Sequence, residues 1–256
     1  MNKLIECFIK NCVADDVLQA TYGISNHEKF DCVFVAPVWA PEKIFDLQKI
    51  DIEPIYADAC SMSYRIRQNG KKYLFVQLHI GAPNMIDFCL SCYQMNCDNF
   101  VLVGSAGSLV LDIDMGDVIV PSCVISGNGA TAYLCENLGE KKLFDKAYSS
   151  ETLNDKIRKV ALKNGMKTLD VPVVSVDSVV AEYIHADEFR EMGAQVIEME
   201  VATFFQSMEY IGKKASALLV ISDNSSAGKH LIGRAEDEKA HYYQMRSKLR
   251  DVLLEL

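Results

Sequence analysis

Two glutamates stand inside an apolar run in "VIEMEVATFF", residues 196–205. Glu198 and Glu200 flank Met199, and Val196, Ile197, Val201, Ala202, Phe204 and Phe205 surround them. Burying a carboxylate costs on the order of several kcal/mol unless hydrogen bonds or a counter-charge offset it. The pair therefore demands a compensating partner. A second stretch, "VGSAGSL" (103–109), leaves the backbone almost bare at Gly104, Ser105, Ala106 and Gly107. Glycine permits positive φ and close approach of a ligand to backbone N–H groups, and the Ser105 hydroxyl adds a donor. The motif is neither a dinucleotide fingerprint nor a Walker loop, and alone it also describes a tight turn. A third stretch, "ALLVISDN" (217–224), carries Ser222 and Asp223 after an apolar run. An aspartate there can be a helix cap. It can equally be a carboxyl group with a raised pKa that gives a proton to a leaving group.

These residues need a scaffold. "CVFVAP" (32–37) reads as a buried strand ending at proline, and a helix is predicted from Pro41. "YRIRQNGKKYLFVQL" (64–78) reads as two strands around Asn69-Gly70, the strongest hairpin signal in the chain. "PNMIDFCLSCYQMN" is helical in pattern, "FVLVGSAGSL" is a strand running into a glycine turn, and "GDVIVPSCVIS" (116–126) is one further strand. A helix over 151–164, a strand at 171–176, a helix over 201–211, a strand over 215–224 and a charged C-terminal helix complete the series. Strands and helices mix throughout, which implies an α/β fold with a central sheet covered by helices. The hairpin brings an antiparallel pair into the sheet and argues against a purely parallel one. In open α/β sheets ligands sit outside the carboxyl ends of strands, and "VGSAG", "VIEMEV" and "VISDN" are three such ends.

Composition narrows the function. The formal charge of −9 and pI near 5.1 argue against a nucleic-acid backbone as main partner. No apolar run is long enough to span a bilayer, so no membrane partner is expected. The N-terminus shows no secretory pattern, and nine cysteines fit free thiols in a reducing, cytoplasmic setting. The Cys89-x₂-Cys92 spacing could hold zinc, but no second pair follows at ligand spacing. These thiols are read as small apolar residues of a helix face, with no metal and no cofactor expected.

Taken in order, "VGSAGSLVLDIDMGDVIVPS" (103–122), "VIEMEVATFF" and "ALLVISDN" resemble the nucleoside phosphorylase family. That family includes hexameric purine nucleoside phosphorylase, uridine phosphorylase and the methylthioadenosine nucleosidases. "IGAPN" (80–84) and the "NGKKYLFV" hairpin match more weakly. The resemblance implies a single three-layer α/β/α domain over 1–256 with a mixed central sheet, residues 1–31 being set apart as an N-terminal extension. It implies cleavage of the N-ribosidic bond of a purine-type nucleoside by a homo-oligomer. Glu200 would then hold the ribose hydroxyls, Met199 would pack on the sugar, and Glu198 would line the same site. Asp223 would be the general acid toward the base, with Ser222 beside the base; where the family often stacks an aromatic on the base, "SVDSVVAEY" (175–183) offers Val179. Ser105 and Gly104 would face phosphate or water.

The resemblance breaks at the nucleophile. Phosphorylases bring arginines to phosphate, whereas this chain has "APVWAPEK" (36–43) in the first loop and Leu102 before "GSAG". Lys43, Arg65 and Arg67 are the candidate substitutes. The nucleosidases instead activate water with a first-loop glutamate, for which Glu42 is the candidate. Phosphorolysis, hydrolysis and nucleoside binding without turnover therefore stay open, with inorganic phosphate an expected partner only in the first.

Overall fold

The computed structural model describes residues 3–12, 16–58, 61–140, 142–232 and 236–256. Twelve strands among the described residues form one mixed sheet. In chain order they are β1 (Cys32–Ala36), β2 (Asp51–Ala57), β3 (Ser61–Gln68), β4 (Lys71–Leu78), β5 (Asn99–Ser108) and β6 (Val118–Ile119). There follow β7 (Cys123–Ser126), β8 (Asp145–Tyr148), β9 (Thr168–Leu169), β10 (Val173–Ser175), β11 (Val196–Glu198) and β12 (Lys214–Asn224). The helices are α1 (Lys3–Asn11), α2 (Val17–Tyr22), α3 (Ala82–Ser91), α4 (Glu151–Lys163), α5 (Val179–Glu191), α6 (Val201–Tyr210) and α7 (Glu236–Leu253).

The main path of the sheet runs β2-β3-β4-β1-β5-β11-β10-β7-β8, while β12 pairs with β5 and β6. β1 lies parallel to β4 and β5, and β12 lies parallel to β5. The β3–β4 hairpin is antiparallel, with Asn69 and Gly70 both at positive φ, as a two-residue primed turn requires.

Alternation along the central strands builds two apolar layers. Val33 and Val35 of β1, Phe100 and Leu102 of β5, and Leu219 and Ile221 of β12 pack with α3 and α6. Phe34, Val101, Val103, Leu218 and Val220 face the other way, against Ile157 of α4 and Leu249 and Val252 of α7. The result is three layers, helix on sheet on helix. Leu18 and Tyr22 of α2 also pack into the first layer, Tyr22 edge-on to Phe88. Phe204 and Phe205 of α6 are buried, each worth about 1.5–3 kcal/mol of apolar transfer. Cys89 and Cys92 lie in the same layer, and burial pushes both thiols up.

Three sequence expectations change in the fold, and one strand goes unread. The helix predicted from Pro41 is only a 3-10 turn, Pro41–Lys43, after which Ile44 and Phe45 turn inward. "FVLVGSAGSL" does not stop at its glycines. β5 continues to Ser108 because β12 pairs with it through Asn224. Residues 116–126 make two short strands, interrupted around Pro121, which has no N–H to give a ladder. β2 carries Pro54 and passes unnoticed in the sequence; it is an edge strand, where proline is tolerated.

A candidate active site at three strand ends

The end of β5, the β11–α6 junction and the end of β12 open into one cavity of about 310 Å³. Gly104, Ser105, Ala106 and Gly107 form one wall, Ile197 to Glu200 a second, and Ser222 and Asp223 a third. Val38, Ile80, Val179 and Leu231 close it with apolar side chains.

The junction is set by Glu198. One of its oxygens accepts the Ser175 hydroxyl, and the other accepts the backbone N–H groups of Glu200 at 2.6 Å and Val201 at 2.8 Å. It thus satisfies donors at the start of α6 that the helix itself leaves unpaired. Ser175 Oγ also accepts from Ala202 N at 2.9 Å. Glu198 therefore holds the turn that carries Glu200 and presents its oxygens mainly inward. Glu200 occupies the N-cap position of α6, where the helix dipole favours an anion. Its Oε1 accepts the Gly81 N–H at 2.7 Å, linking the junction to the loop before α3. Gly81 has φ +116°, a conformation that only glycine adopts readily. Burial, and then the neighbouring charge of Glu198, raise Glu200 above the ordinary carboxylate range; burial raises Glu198 too. Met199 lies between them, its carbonyl accepting from Asn128 at 3.2 Å.

Asp223 reaches the cavity through a bulge. Along β5, Ala106 pairs with Ile221 and Gly107 with Asp223, leaving Ser222 as the extra residue. Such bulges re-aim side chains beside functional sites. The Ser222 hydroxyl lies 2.6 Å from Asp223 Oδ1 and 3.2 Å from the Ala106 carbonyl. The glycine at 107 now has a reason beyond turn geometry. A Cβ there would stand 3.0 Å from Asp223 Oδ2 and 3.2 Å from Ile197 Cγ2. Gly107→Ala should therefore shift the Asp223 carboxyl by a few tenths of an ångström and lower turnover about tenfold, since small misplacements of reacting groups are costly. Steady-state kinetics beside a melting curve would separate that loss from unfolding.

The Ser105 hydroxyl is bonded to Tyr242 of α7 at 2.7 Å. Behind Tyr242, the Arg246 guanidinium lies over the rings of Trp39, Tyr242 and Tyr243 and donates through Nε to the Lys43 carbonyl at 3.1 Å. No lysine or arginine lines the cavity among the described residues. Arg65 is paired with Glu28 and Glu53, and Arg67 with Asp51 and Glu53, and neither of these candidate substitutes is among the cavity's lining residues. Glu42 and Lys43 are exposed on the 3-10 turn and are not among the cavity's lining residues.

One lining carboxyl went unnoticed in the sequence. Glu182 of α5 lines the same cavity as Asp223. Burial, followed by the charge of Asp223, raises it to about 7. The signal that could have found it is the Ser178 cap, whose hydroxyl accepts the Ala181 N–H at 3.1 Å and starts a helix there.

A buried carboxyl at a helix start and a second at a bulged strand end, in one largely apolar cavity, form a candidate small-molecule site in a three-layer α/β fold. The fold is that of a solved purine nucleoside phosphorylase from Toxoplasma gondii in complex with immucillin-H. The two share a TM-score of 0.74 over 91% of this chain and 92% of that one, at 13% identity. In sequence, the chain is 24% identical over 195 residues to a guanosine phosphorylase of Halorubrum lacusprofundi, covering 71% of this chain and 78% of that protein. It is 24% identical over 186 residues to a DeoD-type purine nucleoside phosphorylase of Bacillus velezensis, covering 69% and 74%. Residues 56–256 match the family model of the Phosphorylase superfamily, and the chain belongs to that superfamily as a nucleoside phosphorylase-family enzyme.

Proposed function

We propose that this cavity cleaves the N-ribosidic bond of a purine-type nucleoside. The observation that carries the reading is the convergence of Glu200 and Asp223 on one cavity in a member of this superfamily. Glu200 accepts hydrogen bonds from the ribose 2′- and 3′-hydroxyls while Met199 packs on the sugar. As the bond breaks, positive charge develops on the sugar, and a preorganised carboxylate stabilises it. The bonding electron pair leaves with N9 of the base. Asp223, oriented by Ser222, donates a proton or hydrogen bond to N7 and so relieves the negative charge on the departing base. Val179 packs on the base. Ser105 and Gly104 face the nucleophile.

The nucleophile in this reading is inorganic phosphate, the reaction named for the relatives from Halorubrum and Bacillus. A phosphate oxygen attacks C1′ and the products are ribose 1-phosphate and free base. Hydrolysis is a second reading with its own support: the cavity wall lacks a cation among the described residues, and Ser105 is engaged by Tyr242. A phosphate group without arginine or lysine partners is poorly held. The decisive test is base release from adenosine and inosine with and without inorganic phosphate. The expected result is a rate that rises with phosphate and yields ribose 1-phosphate. Phosphate-independent release with free ribose would assign hydrolysis, and nucleoside binding without any base release would leave a binding protein.

A further inference from the structure

The side of the cavity that carries Ser105 has no lysine or arginine among its described lining residues, yet a guanidinium stands one aromatic ring away. Tyr242 of α7 lines that side and is only 7% exposed. Its hydroxyl lies 2.7 Å from Ser105 Oγ, and the Arg246 guanidinium sits 5.6 Å from its ring centroid. Arg246 is also 4.9 Å from the Tyr243 ring and 5.9 Å from the Trp39 ring, within reach of a cation–π attraction. Its Nε donates to the Lys43 carbonyl at 3.1 Å, and among the described residues it has no carboxylate partner. Arg65, Arg67, Arg158 and Arg190 are each paired with acids instead. The rings hold Arg246 in place without neutralising it.

The hydroxyl pair suits an anion. Two hydroxyls carry two protons; their mutual bond uses one and leaves the other for an acceptor in the cavity. Hydroxyls supply direction but no charge, and phosphate is held best by donors that carry charge. A guanidinium one ring behind can provide the missing charge, because a charge in a water-poor wall acts over a longer range than in solvent.

We propose that Tyr242 and Arg246 complete a subsite for inorganic phosphate. Tyr242, paired with Ser105, donates a hydrogen bond to a phosphate oxygen. Arg246 is a positioning residue: it fixes the Tyr242 ring and offsets the phosphate charge from behind it. The engagement of Ser105 by Tyr242 is then part of the anion site and no bar to it. This inference rests on the phosphorolytic reading above. It names the groups that stand in for the arginine that phosphorylases place before "GSAG", where this chain has Leu102.

The test measures base release at varied phosphate and varied nucleoside concentrations in the wild type, Tyr242→Phe and Arg246→Met. Y242F removes one oxygen and keeps the ring beneath Arg246. It should raise KM for phosphate about tenfold or more, the size of a hydrogen bond to a charged group, and leave KM for the nucleoside within about twofold. R246M keeps an apolar side chain against the rings and removes the charge, and it should raise KM for phosphate several-fold with the same selectivity. A merely structural role would move both KM values together. Equal changes in the two, or a phosphate KM unchanged within about twofold in either folded variant, overturn the proposal and leave N-ribosidic cleavage intact. Wild-type base release that does not depend on phosphate overturns it as well. If the wild type neither binds nor cleaves a nucleoside, the functional reading falls and this one with it. Melting curves show whether each variant is folded, and R246M, at a half-buried position, decides the matter if Y242F is not.

Discussion

Asp223→Asn is expected to lower base release about 10²–10⁴-fold while leaving nucleoside affinity within a few-fold. The substitution is close to isosteric. An asparagine at this position keeps the bulge, the contact with Ser222 and the packing against Gly107. It cannot give up a proton of useful acidity, so the base would have to leave as an anion. Single-turnover release of base, set beside equilibrium binding, separates the two effects. The loss should be greatest for nucleosides with poor leaving groups, because protonation at N7 matters most there. Turnover within about twofold of wild type would remove Asp223 from the chemistry.

Glu200→Gln should have the second largest effect, and it should act in opposite directions on function and stability. Losing a charged acceptor for two sugar hydroxyls should reduce kcat/KM about 10²-fold or more. The Gly81 N–H can still be accepted by the glutamine oxygen, so the loop before α3 stays tied. Stability follows from proton linkage. Burial and the charge of Glu198 make folded Glu200 hold its proton more tightly than the unfolded chain does. Folded protein therefore binds more protons than unfolded protein, and stability falls as pH rises from the ordinary glutamate value into the raised range. Glutamine has no such penalty. E200Q should match wild type in acid and gain on it as pH rises, by about 2–4 °C in melting temperature for each kcal/mol relieved. Paired melts at acidic and mildly alkaline pH check this. A variant that melts lower at every pH would show that the charge on Glu200 is stabilising.

Much of this site is legible in the residues alone. "VIEMEV" announces itself because two carboxylates in an apolar run need partners, and the structure supplies Ser175, Gly81 and the α6 backbone. What the segment does not reveal is the division of labour. Glu198 turns inward to hold the helix start and Glu200 faces the cavity, and that depends on Ser175, a residue 23 positions away. "VGSAG" is legible as a ligand-approach segment but not as strand, since glycine there looks like turn chemistry until Asp223 and Ile197 are seen to fill the space of its missing Cβ. α5 escapes because Val180 and Ile184 are apolar yet about four-fifths exposed, so its sequence carries no core-facing stripe. Glu182 is hidden with it. The cation question is tertiary as well: Arg65 and Arg67 sit on a strand near the sheet edge, and only the fold shows them spent on Glu28, Glu53 and Asp51.

The most direct test is a crystal structure of the protein soaked with adenosine and inorganic phosphate, or with their products. Density in the cavity should place the sugar hydroxyls within hydrogen-bond distance of Glu200 and N7 of the base against Asp223, with any phosphate near Ser105. A nucleoside bound elsewhere, or bound here with its sugar turned away from Glu200 and its base away from Asp223, would contradict the assignment of this cavity as the site of N-ribosidic cleavage.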